Sequence, residues 1–228
     1  MSTINRPNYG DVAEAIHYAR QCLKEKLPPQ LTYHNLKHTF EHVLPAAMDL
    51  ADRCGLTQEE KDLLAVAVAF HDIGWIVQGT GHERIGADMA RKELPDFGFT
   101  ELQIERIASM ILATKLPHQP TCLLDSIMID ADMAVLSRDD FWHCNGELRC
   151  EVELLGETMS DRLWYEGQLS FLEAHHYFTE AAVAAYEPAK QEHILELRHL
   201  LETSEAEADL PQTRLSPAES LVESENDG

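Results

Sequence analysis

Basic residues are scarce in this chain. Its 228 residues include 18 lysines and arginines against 40 aspartates and glutamates, which gives a formal net charge of −22. A surface this acidic repels phosphate backbones and anionic lipid, so we expect no nucleic-acid partner and no membrane partner recruited by bulk charge. A small anionic substrate remains compatible with the composition, because a bound divalent cation can reverse the local field.

Long apolar runs are also missing. No stretch approaches the roughly 18 apolar residues that a membrane-spanning helix needs, and residues 1–10 lack the charged and then apolar segments of a secretory signal. We therefore expect a cytoplasmic protein. The length allows one sizeable core and does not require a second domain.

Closely paired cysteines are absent as well. The five cysteines are scattered along the chain, and no two of them form a Cys-x-x-Cys pair. This odd and dispersed set predicts reduced thiols, and it argues against both a disulfide framework and a thiolate zinc site.

The pattern of apolar residues and helix signals predicts an all-α fold, with no strand alternation and no internal repeat. Asp11 is the expected N-cap of the first helix. Thr57 with Glu60, and Thr100 with Gln103, form capping boxes that each open another helix. The remaining helices are predicted over residues 35–54, 82–94, 123–136, 141–155, 161–175 and 179–202.

Two prolines and a change of composition set the limits of these helices. Pro45 is expected to kink or break the second helix, and Pro188 to split or bend the last one. From 203 to 228 the chain has seven acidic residues, one arginine and few large apolar residues. We predict one helical domain over 1–202, followed by a disordered acidic tail over 203–228.

Three short stretches contain the residues with chemical potential: Tyr33-His34-Asn35-Leu36-Lys37-His38, His71-Asp72 and Asp130-Ala131-Asp132. Histidine and carboxylate ligands together suit a divalent ion such as Mn, Fe, Co, Ni, Zn or Mg. Adjacent residues both reach one ion only near a helix end, and Gly74 is expected to let the chain leave the helix there. A polar pair directly after the buried stretch 63–70 is costly unless something pairs with it, and a metal would remove that cost.

Each stretch alone has an ordinary explanation. A single His-Asp at a helix end is more often a cap or an ion pair, and Asp-Ala-Asp is usually a cap or solvated surface. His34, His38 and His42 could form one polar stripe on a helix. Their combination in this order, on predicted helices, favours a metal site.

The order His, His-Asp, Asp resembles the HD superfamily of metal-dependent phosphohydrolases, whose members are α-helical and bind one or two divalent ions inside the bundle. In this resemblance His38 matches the first ligand, and His71 and Asp72 match the pair that names the family. Asp132 matches the closing aspartate, because related families place it in an Ala-Asp dipeptide. Asp130 is the alternative.

The stretch that begins at Tyr33 is also similar to a motif of cyclic-nucleotide phosphodiesterases, which implies that His34 is a general acid. A group of bacterial HD phosphohydrolases shows further similarity, and the Gly-Tyr-Pro signature of cyclic dinucleotide phosphodiesterases is absent. The similar segments are Phe70-His71-Asp72-Ile73-Gly74, His82-Glu83-Arg84, Ala113-Thr114-Lys115, Asp130-Ala131-Asp132 and, more weakly, Leu148-Arg149-x-Glu151.

Members with two metals usually carry additional histidines between the His-Asp pair and the last aspartate. Here Thr114 stands where one such histidine would be expected, which leaves His82 and His118 as possible extra ligands. We therefore expect a single ion.

The resemblance implies an enzyme in which a metal-bound hydroxide cleaves a phosphate ester or anhydride of a nucleotide or small phosphorylated metabolite. Asp72 or Asp132 would orient the water, and His34 would protonate the leaving oxygen. Lys115 would contact the phosphate, although a solvated surface lysine is an equal alternative. The rival hypotheses are a non-catalytic HD-fold module that binds a nucleotide and a bundle whose buried residues form ion pairs without metal.

Overall fold

The computed structural model describes residues 10–156 and 158–208. Within these ranges the chain forms helices and turns and no strand, which confirms the all-α prediction. Short 3₁₀ segments cover Ile73–Ile76, Leu94–Phe97 and Met133–Ser137. The α-helices of the described ranges are α1 (Val12–Lys26), α2 (Leu44–Arg53), α3 (Gln58–Phe70), α4 (His82–Glu93), α5 (Glu101–Ala113), α6 (Leu123–Asp132), α7 (Phe141–Leu154), α8 (Asp161–Ala174) and α9 (Glu180–Ala208).

The predicted N-caps are present. Asp11 accepts a hydrogen bond from the Glu14 N–H at 3.0 Å, and α1 follows it. Thr57 with its glutamate and Thr100 with its glutamine form complete capping boxes at the starts of α3 and α5. These side chains satisfy N–H groups that the first turn of a helix leaves without a partner, so local sequence sets where the helices begin.

The interruption predicted at Pro45 takes the form of a π-helical segment. Residues His38–Val43 form this wider helical turn, and α2 follows directly, with Pro45 in its first turn. A proline lacks an N–H and crowds the preceding turn, and a π segment accommodates both effects without breaking the helix. The helix ends before Gly55, which has a φ of 70° and is the stop signal expected there.

The last helix is not split at Pro188. It runs unbroken from Glu180 to Ala208, and it is anchored on both sides of the proline by the buried residues Ala182 and Ile194. The first residues of the predicted acidic tail, 203–208, thus continue the helix. The rest of the predicted tail, 209–228, lies outside the described residues.

The main apolar core is built around α3, whose residues Val66–Phe70 are fully buried. Helices α1, α2, α4, α5 and α6 pack around it, while α7, α8 and α9 enclose a smaller apolar cluster. The π segment, α3 and α6 contact one another, so the end of the central helix lies between two other helical segments. No helix in the described part of the chain is both long and apolar enough to cross a bilayer.

Candidate metal centre

The predicted ligands lie where three helical segments meet. His38 begins the π segment, His71 directly follows α3, and Asp132 is the last residue of α6. The chain turns at Asp72, which has φ −98° and ψ 2°, into the next 3₁₀ segment. Both members of the His-Asp pair can therefore face the same point, as the sequence predicts for a helix end.

Gly74 is needed in this turn for a different reason from the one predicted. Its φ is not positive, so left-handed freedom is not what the turn requires. A Cβ at this position would lie only 2.1 Å from the carbonyl oxygen of His82. The glycine thus allows the first turn of α4 to approach the end of α3 and brings His82 beside the His-Asp pair.

The four side chains converge on one point. Nε2 of His71 lies 3.1 Å from Oδ2 of Asp72 and 3.6 Å from Oδ1 of Asp132. Nε2 of His38 lies 3.1 Å from the same Asp132 oxygen and 3.5 Å from Oδ2 of Asp72. Ligand atoms bound to one ion at roughly 2.0–2.2 Å are themselves about 3–3.5 Å apart, so these separations suit a shared divalent cation.

The hydrogen bond of His71 sets the tautomer that a metal ligand requires. Its Nδ1–H donates to the carbonyl of Val68 at 2.7 Å, so Nε2 is the nitrogen that faces the two carboxylates. Burial lowers the pKa of His71, but Asp72 and Asp132 raise it well above its ordinary value, so a cation at this point would take the place of the Nε2 proton. A backbone partner of this kind commonly fixes the ring of a metal-binding histidine.

Three buried atoms of the cluster lack a hydrogen-bond partner: Nδ1 of His38, Nε2 of His71 and Oδ2 of Asp72. Nε2 of His71 and Oδ2 of Asp72 are completely buried, and although they are 3.1 Å apart their geometry is not that of a hydrogen bond. A buried polar atom without a partner costs roughly 1–3 kcal/mol. A divalent cation would bind Nε2 of His71 and Oδ2 of Asp72, so the residues present fit a metal ion.

The pKa values of both carboxylates of the cluster lie below their ordinary values. Burial by itself raises the pKa of Asp72, but the neighbouring His71 ring holds that pKa well below its ordinary value. Burial acts in the same direction on Asp132, and the rings of His38 and His71 again lower its pKa. The cluster thus offers two anionic and two imidazole ligands, a set that suits a borderline or hard divalent ion.

Comparison with known proteins agrees with this geometry. Residues 37–134 match the model of the HD domain family. This segment is similar to HD domains. It contains His38, His71, Asp72 and Asp132, and HD domains typically bind divalent metal ions and occur in hydrolases.

The fold is shared with a solved structure. A predicted HD superfamily hydrolase from an uncultured Thermotogales bacterium is similar with a TM-score of 0.52 and 20% identity, over 86% of this chain and 92% of that chain. At this identity the likeness shows the fold alone. None of the curated proteins matches the chain significantly.

His82 is a predicted extra ligand that the structure brings next to the four predicted ligands. Its Nδ1–H donates to the Gly79 carbonyl at 2.9 Å, and its Nε2 lies 3.4 Å from Oδ1 of Asp72, the oxygen that does not face His71. Thr114 offers no ligand, because its hydroxyl donates to the Ile111 carbonyl at 2.8 Å within α5. His118 lines a cavity with His175. Burial lowers the pKa of His118 overall, and Asp132 is the charge that most opposes this effect.

His34 and Glu151 lie outside the HD-like segment and stand beside its cluster. The backbone N–H groups of Tyr33 and His34 each donate to Oε2 of Glu151 at 3.0 Å, and the His34 ring contacts the other oxygen through Nδ1. Burial raises the pKa of Glu151, yet these donors, the His34 ring first, lower it overall. The His34 ring also stacks on Trp75, with 4.4 Å between the ring centroids, and its centroid lies 6.0 Å from that of His38.

Sequence reasoning did not single out Glu151 as a functional residue. It lies 117 residues from His34 along the chain and within α7, so spacing could not pair the two. The only signal was the weak resemblance that extends to residues 148–151.

Asp130, the alternative to Asp132, is engaged elsewhere. Its carboxylate accepts hydrogen bonds from the N–H groups of Phe178 and Thr179, each at 2.8 Å, and from the Thr179 hydroxyl at 2.7 Å. It therefore holds the start of α9, while Asp132 faces the histidines.

Lys115, the predicted phosphate contact, does not line the cavity beside His34, and neither do Arg84 and Arg149. Lys115 is exposed and lines a surface cavity with Arg91 and Asp125. Arg84 is 71% exposed and pairs with its neighbour on α4, while Arg149 pairs with two acidic residues. Both arginines thus already have carboxylate partners. The role of Lys115 in binding phosphate stays a prediction, because Lys115 lines a different cavity.

Proposed function

We infer that the protein is a metal-dependent phosphohydrolase that cleaves a phosphate ester or anhydride of a nucleotide or other small phosphorylated metabolite. One observation carries the proposal: the buried lone pairs of the cluster converge beside His34, a ring that a carboxylate holds in place. This arrangement supports two tasks in one site, which are holding a cation and delivering a proton.

The cation supplies what the side chains cannot. A divalent ion lowers the pKa of a bound water toward neutrality and stabilises charge on phosphate oxygens. Asp72 is suited to orient this centre, because one of its oxygens faces His71 and the other faces His82. With a formal net charge of −22, the protein needs a local positive centre to attract an anionic substrate.

His34 supplies the proton in this proposal. Its Nδ1–H donates to the carboxylate of Glu151, which leaves Nε2 as the other nitrogen that can carry a proton. An ionised carboxylate at Nδ1 stabilises the imidazolium and fixes the orientation of the ring. The stacked indole of Trp75 further restricts the ring plane. Nε2 is thereby prepared to protonate a leaving oxygen.

The test is hydrolysis of a panel of phosphate esters and anhydrides by the full chain with Mn²⁺, Co²⁺, Ni²⁺ or Mg²⁺. We expect turnover that a chelator abolishes. His34→Ala should retain the metal but lose roughly 10²–10⁴-fold in kcat, the usual contribution of a general acid. No turnover with any of the four ions would overturn the proposal.

A second candidate is a non-catalytic module that binds a nucleotide without cleaving it. Thr114 favours this candidate, because enzymes with two metals usually carry a histidine ligand near that position. The hydroxyl of Thr114 instead forms a hydrogen bond within its own helix. Tight nucleotide binding without turnover, unchanged by His34→Ala, is the result that would support this candidate over the enzyme.

A further inference from the structure

A mainly apolar cavity of about 490 Å³ opens beside His34. It lies between the 3₁₀ segment Met133–Ser137, α7 and α8. Its volume is within the range of small-molecule sites. Among the described residues its lining includes no lysine, arginine, aspartate or glutamate. Its apolar walls include Leu136, Phe141, Leu148, Val152, Leu163 and Phe171.

Two residues of the cavity wall also lie beside the candidate metal centre. Tyr33 and His34 line the cavity, and both also stand against His38. The ring centroid of Tyr33 lies 4.8 Å from that of His38, and the centroid of His34 lies 6.0 Å from it. A molecule with its phosphate at the cluster would therefore extend its remaining part into this cavity.

The few polar groups in the cavity are largely bonded to one another. The indole N–H of Trp164 donates to Oδ1 of Asn145 at 2.7 Å, and the Asn145 amide donates to Oε1 of Gln168 at 2.6 Å. A charged group, or a row of hydroxyls, would lose its water here without gaining enough partners. An alkyl or aryl group has no hydrogen bonds to water to lose, and its transfer from water into the cavity is favourable.

We propose that this cavity binds the organic group of the substrate and that this group is uncharged and largely apolar, an alkyl or aryl group. The proposal rests on the phosphohydrolase function above and narrows it. It disfavours nucleotides relative to phosphate esters of apolar groups, because a ribose would place its hydroxyls against apolar side chains.

Gly167 is a position in the cavity wall at which a larger side chain can be introduced. It lies within α8 and lines the cavity, and a Cβ built there meets no atom within 4 Å. A leucine can therefore be introduced without a backbone clash, and it also favours the helix. Gly146 in α7 is equally open but does not line the cavity, so Gly146→Leu is the matched control.

The experiment measures kcat/KM of the full chain with Mn²⁺ for n-alkyl phosphates from ethyl to octyl, with adenosine monophosphate beside them. We expect kcat/KM to rise about three- to fourfold for each added methylene until the cavity is full. Gly167→Leu should lower the ratio of octyl to ethyl phosphate by at least about tenfold, and Gly146→Leu should leave that ratio unchanged. A flat series, a preference for the nucleotide, or equal effects of the two variants would overturn the proposal.

A calorimetric titration with n-octanol tests the cavity without any hydrolysis. It therefore distinguishes a failure of the cavity proposal from a failure of the phosphohydrolase function on which that proposal rests. Hydrolysis that is independent of chain length overturns the cavity proposal alone. Absence of hydrolysis for every phosphate overturns the function. The octanol titration then tests whether the cavity binds an apolar ligand. Binding that is lost in Gly167→Leu and kept in Gly146→Leu supports the cavity proposal. No binding to the wild type or to either variant overturns it.

Discussion

Asp130 and Asp132 stand two residues apart, and the structure gives them opposite roles. Asp130 is completely buried and accepts three hydrogen bonds from Phe178 and Thr179 at the start of α9. Asp132 faces His38. Substitution of each by alanine should therefore separate stability from metal binding.

The cost of Asp130→Ala follows from the groups it leaves behind. Two backbone N–H groups and one hydroxyl lose a charged acceptor, and hydrogen bonds to charged groups contribute about 1.5–3 kcal/mol each. Burial raises the pKa of Asp130, so the alanine also relieves part of the desolvation cost of the carboxylate. The loss of a helix cap typically falls between about 0.5 and 2 kcal/mol. We expect a net loss near 3 kcal/mol, which lowers Tm by roughly 6–12 °C in a chain of this size.

The assay pairs thermal and urea unfolding with metal analysis of the same preparations. Asp130→Ala should unfold at lower temperature yet retain its ion, whereas Asp132→Ala should lose the ion. If Asp130→Ala instead lost the metal while its unfolding temperature stayed the same, the assignment of the two aspartates would be reversed.

Three further results are expected. Glu151→Gln should lower kcat by more than about tenfold with the metal retained, because a neutral amide no longer stabilises protonated His34; equal kcat in both proteins would remove Glu151 from the mechanism. Gly74→Ala should lower the free energy of unfolding by about 2–3 kcal/mol in urea titrations, because its Cβ would lie 2.1 Å from the His82 carbonyl oxygen; an unchanged midpoint would refute the close approach. Burial and, second, the charge of Lys190 lower the pKa of His175 from 6.5 to about 4. As the pH drops from 6.5 to 4, the unfolded chain therefore gains a proton on this ring more readily than the folded protein. The free energy of unfolding should fall by about 3 kcal/mol over this range. His175→Phe should remove that part of the acid sensitivity, and an identical pH dependence of the free energy of unfolding in both proteins would refute it.

The sequence was sufficient for features that depend on local chemistry. The caps at Asp11, Thr57 and Thr100 follow from hydrogen bonds within one turn, and the structure confirms them. The His, His-Asp, Asp order predicted a shared point for His38 and the downstream ligands, because a helix end can present adjacent residues to one ion.

Features that depend on distant packing were not predictable in this way. Glu151 reaches His34 only because α7 packs beside the start of the π-containing helix, and Gly74 is required by the approach of α4. The apolar cavity is likewise formed by residues of several separate segments, whose apolar faces could equally have packed into a closed core. Pro188 shows the same limit, because buried anchors on both sides keep α9 continuous against the local preference of proline.

The central claim is that the buried cluster binds a divalent metal ion. Elemental analysis of freshly purified protein, wild type beside His71→Ala/Asp72→Ala, tests it most directly, with circular dichroism to confirm that both are folded. We expect about one equivalent of a divalent metal in the wild type and none in the folded double variant. Absence of metal from both proteins, even after loading with Mn²⁺, Fe²⁺ or Co²⁺, or equal metal in both, would contradict the claim.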